Sequence, residues 1–169
     1  RARLPRLLPW LAKERPDAVI HTAAMTNVDA CELDPIACTA QNVFATENLV
    51  HASERTSSHF IHLSTDFIFD GEHGPYREED LPGPLSLYGH SKLQSEELVK
   101  QSKLAKWAIA RTIIVYGVAE GLSRSNVVLW AKSALEKGQP ITVVDDQWRM
   151  PTLAEDLADG CIRIAKQGA

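Results

Sequence analysis

Tyr88 and Lys92 stand four residues apart in the run Pro84-Leu85-Ser86-Leu87-Tyr88-Gly89-His90-Ser91-Lys92, and Ser64-Thr65 closes the apolar run Phe60-Ile61-His62-Leu63 upstream. On a helix, a spacing of four places the phenol and the ammonium on one face, about one turn apart. A neighbouring ammonium favours phenolate and draws the tyrosine pKa down from ~10 toward neutrality. A tyrosine tuned in this way can give a proton to a carbonyl oxygen or take one from an alcohol. A hydroxyl at a strand end, from Ser64 or Thr65, can hold that same oxygen.

The elements that must position these groups follow from hydrophobic periodicity. Residues 4–14 read as a helix with Leu4, Leu7, Leu8 and Leu11 on one side, and with Pro9 marking a kink or a late start. Residues 17–22 and 59–64 read as short buried strands. Asp34-Pro35 opens a long helix to about residue 53, whose inner side carries Ala37, Ala40, Val43, Leu49 and Val50. The segment 65–84, punctuated by Gly71, Gly74, Pro75, Pro82, Gly83 and Pro84, is a long loop. Residues 86–101 form the helix with Tyr88 and Lys92. A strand over 107–115, a helix over 125–137 closed by Gly138, a short strand over 141–144 and a last helix capped by Thr152 complete the chain. Strands alternating with helices imply an α/β fold, a parallel sheet with helices on both faces. In such sheets a ligand sits beyond the carboxyl ends of the strands. Those ends are Thr22-Ala23-Ala24, Ser64-Thr65 and the stretch from Thr112 to Tyr116.

Composition narrows the function classes. The 169 residues are 44% hydrophobic and 24% charged, ordinary for one globular domain with a small lobe. A net charge of −4 and a pI near 5.9 argue against broad binding to nucleic acid or anionic membranes. The longest apolar runs are far shorter than a bilayer requires. Cys31, Cys38 and Cys161 have no metal-ligand spacing and cannot all pair, which fits a reducing, cytoplasmic compartment. The six histidines form no metal motif. Asp66, Asp70, Glu78, Glu79 and Asp80 make the long loop acidic but lack a calcium-loop pattern, so no metal is expected. No Gly-x-Ser-x-Gly elbow supports serine hydrolase chemistry.

Several blocks together carry a resemblance. They are Pro16-Asp17-Ala18-Val19-Ile20-His21-Thr22-Ala23-Ala24, Thr26-Asn27-Val28-Asp29-Ala30-Cys31-Glu32, Ser64-Thr65-Asp66-Phe67-Ile68-Phe69-Asp70-Gly71, Pro75-Tyr76-Arg77-Glu78-Glu79-Asp80, the Tyr88–Lys92 run, and Asp146-Gln147-Trp148-Arg149-Met150-Pro151-Thr152. In this order the chain resembles the dTDP-4-dehydrorhamnose reductases, in the extended branch of the short-chain dehydrogenase/reductase superfamily. The resemblance implies a Rossmann-like doubly wound parallel sheet. Residues 1–117 would be part of the dinucleotide-binding domain and 118–169 part of a substrate-binding lobe. Extended reductases open with a strand, a glycine-rich turn and a helix that receives the pyrophosphate. That motif is not in the sequence, so roughly 50 further residues are expected upstream, and the fold is expected to be incomplete at both ends.

The resemblance also implies roles. Thr65, Tyr88 and Lys92 would be catalytic, with Thr65 holding the substrate oxygen and Lys92 also binding the nicotinamide ribose of NADPH or NADH. Ala23, Ala24, Asn42 and Ser64 would lie beside the cofactor. Asn126 and Arg149 would lie in the substrate region, Arg149 facing a nucleotide phosphate. Ile114 stands where many sugar-nucleotide reductases have a tryptophan against the sugar, which leaves the sugar open. The implied activity is reduction of a 4-keto sugar nucleotide in deoxysugar biosynthesis, with room for a homodimer. Two alternatives stay open: an extended-family epimerase or dehydratase, and a non-catalytic regulatory subunit like the beta subunit of methionine adenosyltransferase.

Overall fold

The two apolar runs predicted as strands lie side by side in a computed structural model, which describes residues 4–118 and 126–167. β1 (Ala18–His21) and β2 (His59–Thr65) pair in parallel, in a register that sets Ala18 opposite His59 and His21 opposite His62. β3 (Trp107–Thr112) extends the sheet in the order β1-β2-β3. Thr22 and Thr65 therefore emerge from the same edge, as predicted.

The connections are helical. α1 (Leu4–Glu14) precedes β1 and runs unbroken through Pro9. α2 (Val28–Leu33), α3 (Pro35–Thr39), a π-helical turn (Ala40–Phe44) and α4 (Ala45–Thr56) lead from β1 to β2. A 3₁₀ turn (Asp66–Ile68) and a long loop then lead to α5 (Leu87–Lys100). α4 touches both β1 and β2, α5 touches β2 and α4, and α1 touches α4. Helices on opposite faces of a sheet could not meet, so these three form one layer. Val50, Phe60, Val99 and Leu104 are buried between that layer and the strands, with Val19, Leu49 and Ile109 packed against them.

The single long helix expected over 34–53 is continuous in backbone conformation from Pro35 to Thr56 with one π turn inside it, and its ends, like that of the short α2 before it, have local causes. Asn27 starts α2 by accepting a hydrogen bond from the Ala30 N–H at 3.1 Å. Asp34 restarts the chain as α3 by accepting from Ala37 N at 2.9 Å, with Pro35 at the first helical position, where its missing N–H costs nothing. Ser57 ends α4 in the left-handed conformation.

The chain divides into two units, one running to Arg111 and resuming at Cys161, the other spanning Thr112–Gly160. In the second, β4 (Val115–Tyr116) and β5 (Thr152–Leu153) pair in parallel. α6 (Val127–Glu136) lies between them in sequence, and α7 (Ala154–Gln167) follows. Ser125, the predicted first residue of the α6 helix, lies outside the described residues. Gly138 closes α6 at a positive φ of 63°. Residues 141–144 do not form the expected strand: they pair with no neighbouring strand, and Val143 and Val144 are exposed. Thr152 is part of β5 rather than a helix cap, its N–H donating to the Ile114 carbonyl at 2.9 Å.

One ion pair ties the first unit together. Arg111 grips the fully buried Glu96 with two hydrogen bonds of 2.9 and 2.8 Å. Its remaining nitrogen donates to the Glu78 carbonyl at 2.9 Å, and its guanidinium lies over the Phe69 ring. Phe69 in turn stacks on Tyr76, whose hydroxyl donates to Asp70. Burial opposes ionisation of Glu96, but Arg111, the Ser64 hydroxyl and Lys100 together hold its carboxyl below the usual range. Losing the guanidinium would strand a buried carboxylate. Arg111→Leu is expected to cost about 3–5 kcal/mol in urea unfolding, and the double change with Glu96→Leu to recover much of that. A single variant as stable as the wild type would contradict this account.

Candidate active site

Tyr88 is placed by the first turn of α5. Ser86 caps that turn, its hydroxyl accepting from Gly89 N at 3.1 Å, and Glu32 accepts from Leu87 N at 2.7 Å. Gly89 is dictated by space: a Cβ there would stand 2.3 Å from the Phe67 carbonyl oxygen and 3.0 Å from Pro84. The helix can therefore press against the 3₁₀ turn that follows Thr65. The Tyr88 ring is buried among Cys31, Cys38, Met25, Val28 and Phe67, and meets Phe67 edge-on. Both cysteines are free thiols.

The Thr65 hydroxyl accepts from Phe67 N at 3.3 Å, donates to an Asp66 carboxylate oxygen at 3.2 Å and lies near enough to the Tyr88 phenol to lower its pKa. The strand-end hydroxyl and the phenol thus lie close together, but the expected lowering of the phenol pKa is not found. Burial pushes the Tyr88 pKa above its ordinary value, with the Thr65 hydroxyl acting in the opposite direction.

Lys92 is buried on the same helix. Its Nζ donates to the Leu63 carbonyl at 2.7 Å and lies 3.3 Å from His62 Nε2. Burial lowers its pKa to about 8, with Glu96 acting in the opposite direction. At neutral pH it is an ammonium held by uncharged acceptors. His62 and His21 are neutral beside it. Burial first, then Lys92, lowers His62 to about 2 and His21 to about 4.

Asn42 joins the two arms. It sits in the π turn and is almost fully buried. Its side-chain oxygen accepts from Met25 N at 2.7 Å, and its nitrogen donates to Met25 O at 3.2 Å and to Ser91 Oγ at 2.8 Å. Ser91 donates to the Tyr88 carbonyl. The Asn42 carbonyl accepts from Thr46 and Ser95, and Thr46 is 3.0 Å from His21 Nε2. Asn42 therefore fixes the turn after β1, which contains the exposed Ala23 and the half-buried Ala24.

Thr65, Tyr88, Lys92, Asn42 and Ser64 converge at the carboxyl edge of the sheet or directly beneath it. Asn126 and Arg149 belong to the second unit. Asn126 caps α6 by accepting from Leu129 N at 3.0 Å and donates to the Gly117 carbonyl at 2.8 Å. Arg149 is exposed, with Gln147 3.5 Å away. Sequence reasoning missed His21, Thr46, His62, Ser91 and Ser95. Signals were present for some: His62 interrupts an apolar strand, and Ser91 and Ser95 share a helix face at a spacing of four.

Residues 3–169 match the family model described as the RmlD substrate binding domain. The chain belongs to that family. The beta subunit of methionine adenosyltransferase 2 from Bos taurus is 34% identical over 153 residues, covering 90% of this chain and 46% of that protein. A dTDP-4-dehydrorhamnose reductase from Mycobacterium tuberculosis (strain CDC 1551 / Oshkosh) is also 34% identical, covering 90% of this chain and 50% of its own length. The chain thus spans about half the length of the curated relatives it matches. Among solved structures, the dTDP-4-dehydrorhamnose reductase of Bacillus anthracis str. Ames in complex with NADP superposes with a TM-score of 0.90 at 28% identity, over 98% of this chain and 57% of that one. A hypothetical dTDP-4-dehydrorhamnose reductase from Sulfolobus tokodaii gives 0.87 at 31%, over 98% and 57%. The Rossmann-like α/β fold read from the sequence is borne out.

Two outcomes follow from the packing. Gly89→Ala forces its methyl into the Phe67 carbonyl and is expected to cost about 3 kcal/mol or more, read by chemical denaturation. The neutral histidines make stability fall on acidification. An unfolded chain takes up protons as pH drops through ~6.5, whereas folded His21 resists to about 4 and His62 further still. Stability is therefore lost between pH ~6.5 and about 4, by up to about 1.4 kcal/mol per pH unit for each histidine. Urea midpoints should fall less steeply with pH in His21→Asn and His62→Gln, and equal slopes would remove these two groups as the cause.

Proposed function

We propose that this chain forms the catalytic part of an NAD(P)H-dependent reductase of 4-keto sugar nucleotides. Residues 1–117 supply the dinucleotide side of the site and 118–169 part of the substrate side. The observation that carries this reading is the nearness of the Thr65 hydroxyl to the Tyr88 phenol, with Lys92 one turn further along the same helix.

The donor set suits a nicotinamide cofactor. An ammonium has three N–H donors; Lys92 directs two toward Leu63 and His62, which leaves one for a ribose hydroxyl. Ala23 and Ala24 let a ligand come close to the backbone at the end of β1. The bound nicotinamide supplies a hydride to the keto carbon. Thr65 holds the keto oxygen by its hydroxyl, and Tyr88 delivers a proton to that oxygen as negative charge builds on it. A phenol whose pKa is raised stays protonated at neutral pH, which favours proton donation and hence the reductive direction. Lys92, one turn further along α5, would hold the ribose of the cofactor. Ile114, in place of a tryptophan, allows a sugar other than 4-dehydrorhamnose.

The regulatory reading has an observation of its own: the methionine adenosyltransferase beta subunits match at the same identity as a reductase. Turnover of a keto sugar nucleotide by the full-length protein favours the enzyme. Co-purification with a synthetase, without turnover, favours the subunit.

In the full-length protein, Tyr88→Phe keeps the ring and removes the proton donor. Turnover should fall by about 10²–10⁴-fold with little change in stability. Thr65→Ser should be mild and Thr65→Val severe, because only the hydroxyl is needed. Wild-type turnover by Tyr88→Phe, measured by NAD(P)H oxidation, would sink the assignment.

A further inference from the structure

We propose that His62 is a positioning residue for the reductive step: its neutral ring accepts a hydrogen bond from the Lys92 ammonium and, with the Leu63 carbonyl, fixes that ammonium one turn from Tyr88. The proposal rests on the reductase reading above but can be tested apart from it.

His62 is fully buried in the middle of β2, between the apolar Phe60-Ile61 and Leu63. A ring placed there for packing alone would serve as well as phenylalanine. Instead its Nε2 faces Lys92 Nζ at 3.3 Å. An ammonium only donates, so Nε2 must be the acceptor and the ring proton sits on Nδ1, which finds no partner among the described residues. The ring is held on both sides. Phe60 stacks on it at 6.5 Å and 8°, and His21 lies 5.4 Å away. His21 is itself tied through Thr46 to Asn42, the residue that anchors the Tyr88 arm. The position of Lys92 is thereby referred to the same support as the position of Tyr88.

The chemistry of the acceptor matters. A carboxylate at this place would also hold Lys92, but it would neutralise the charge the site needs. A neutral imidazole and a peptide carbonyl hold the ammonium and leave its charge uncancelled for a ribose hydroxyl. The other charged group facing Lys92 is Glu96, on the next turn of α5, and its carboxylate is bound by Arg111 and approached by Lys100. His21 is neutral, and Tyr88 is protonated until it reacts.

Three full-length variants test the proposal. The His62→Gln amide reaches roughly the place of Nε2, His62→Asn reaches only that of Nδ1, and His62→Leu offers no acceptor. The first readout is steady-state reduction of a 4-keto sugar nucleotide with NADPH. Asn and Leu should lower kcat about tenfold or more, as expected for losing one hydrogen bond to a charged group. The KM for the sugar nucleotide should change little, and Gln should restore kcat most of the way. The second readout needs no substrate: the Lys92 side chain is titrated by NMR, its signal assigned by its loss in Lys92→Arg. Its midpoint, near 8 in the wild type, should move to lower pH in the Asn and Leu variants, because the ammonium has lost an acceptor, and return in Gln. If the Leu variant does not fold, the comparison of Gln with Asn decides alone. Equal kcat and equal Lys92 midpoints in Gln and Asn would overturn the proposal. A wild-type protein without turnover would overturn the reductase reading, and the titration would still decide whether His62 holds Lys92.

Discussion

The carboxamide of Asn42 is the point on which the site depends. It closes two hydrogen bonds on the backbone of Met25 and a third on Ser91, while its own carbonyl receives two hydroxyls. Three segments that are distant in sequence, the turn after β1, the π turn and α5, are thus held by one side chain. In a buried setting each of these bonds is costly to leave unmade. The network therefore favours a single arrangement, and Tyr88 and Lys92 inherit that precision.

Below this support the protein handles charge in two ways. Glu96 and Arg111 are paired directly, and the pair anchors the acidic loop through Glu78 and Phe69. Lys92, deeper and nearer the chemistry, has no comparable counterion, and neutral acceptors surround it. The first arrangement secures structure. The second leaves a buried positive charge uncancelled at the strand ends, on a lysine whose pKa is depressed by burial.

Much of this was legible in the sequence. The apolar runs gave β1 and β2, and the Tyr88–Lys92 spacing with Ser86 ahead of it gave α5. What periodicity could not give was hydrogen-bond register. The π turn shifts the inner face by one residue: Ala40, read as facing inward, is exposed, and Asn42 and Val43 are buried instead. The polar support of the site was hidden for a related reason. Thr46, Ser91 and Ser95 are ordinary helix residues until the facing helix supplies their partners. The Tyr88 pKa was misjudged because spacing along α5 says nothing of burial. The strand expected over 141–144 has the right residues but no neighbour with which to pair.

The π turn also constrains how the chain can vary in length. Such a turn accommodates one residue more than a regular helical turn would. Deleting a single residue from Ala40–Phe44 would let the helix revert to ordinary geometry without breaking it. Residues beyond such a deletion would keep the orientation they have now, because the wider turn already absorbs the extra residue. Thr46 would stay at His21 and Val50 in the core it shares with Phe60. A deletion from the regular turns of α4 would instead rotate every residue beyond it by about 100°, so the π turn is the place where this helix can lose a residue and keep its face.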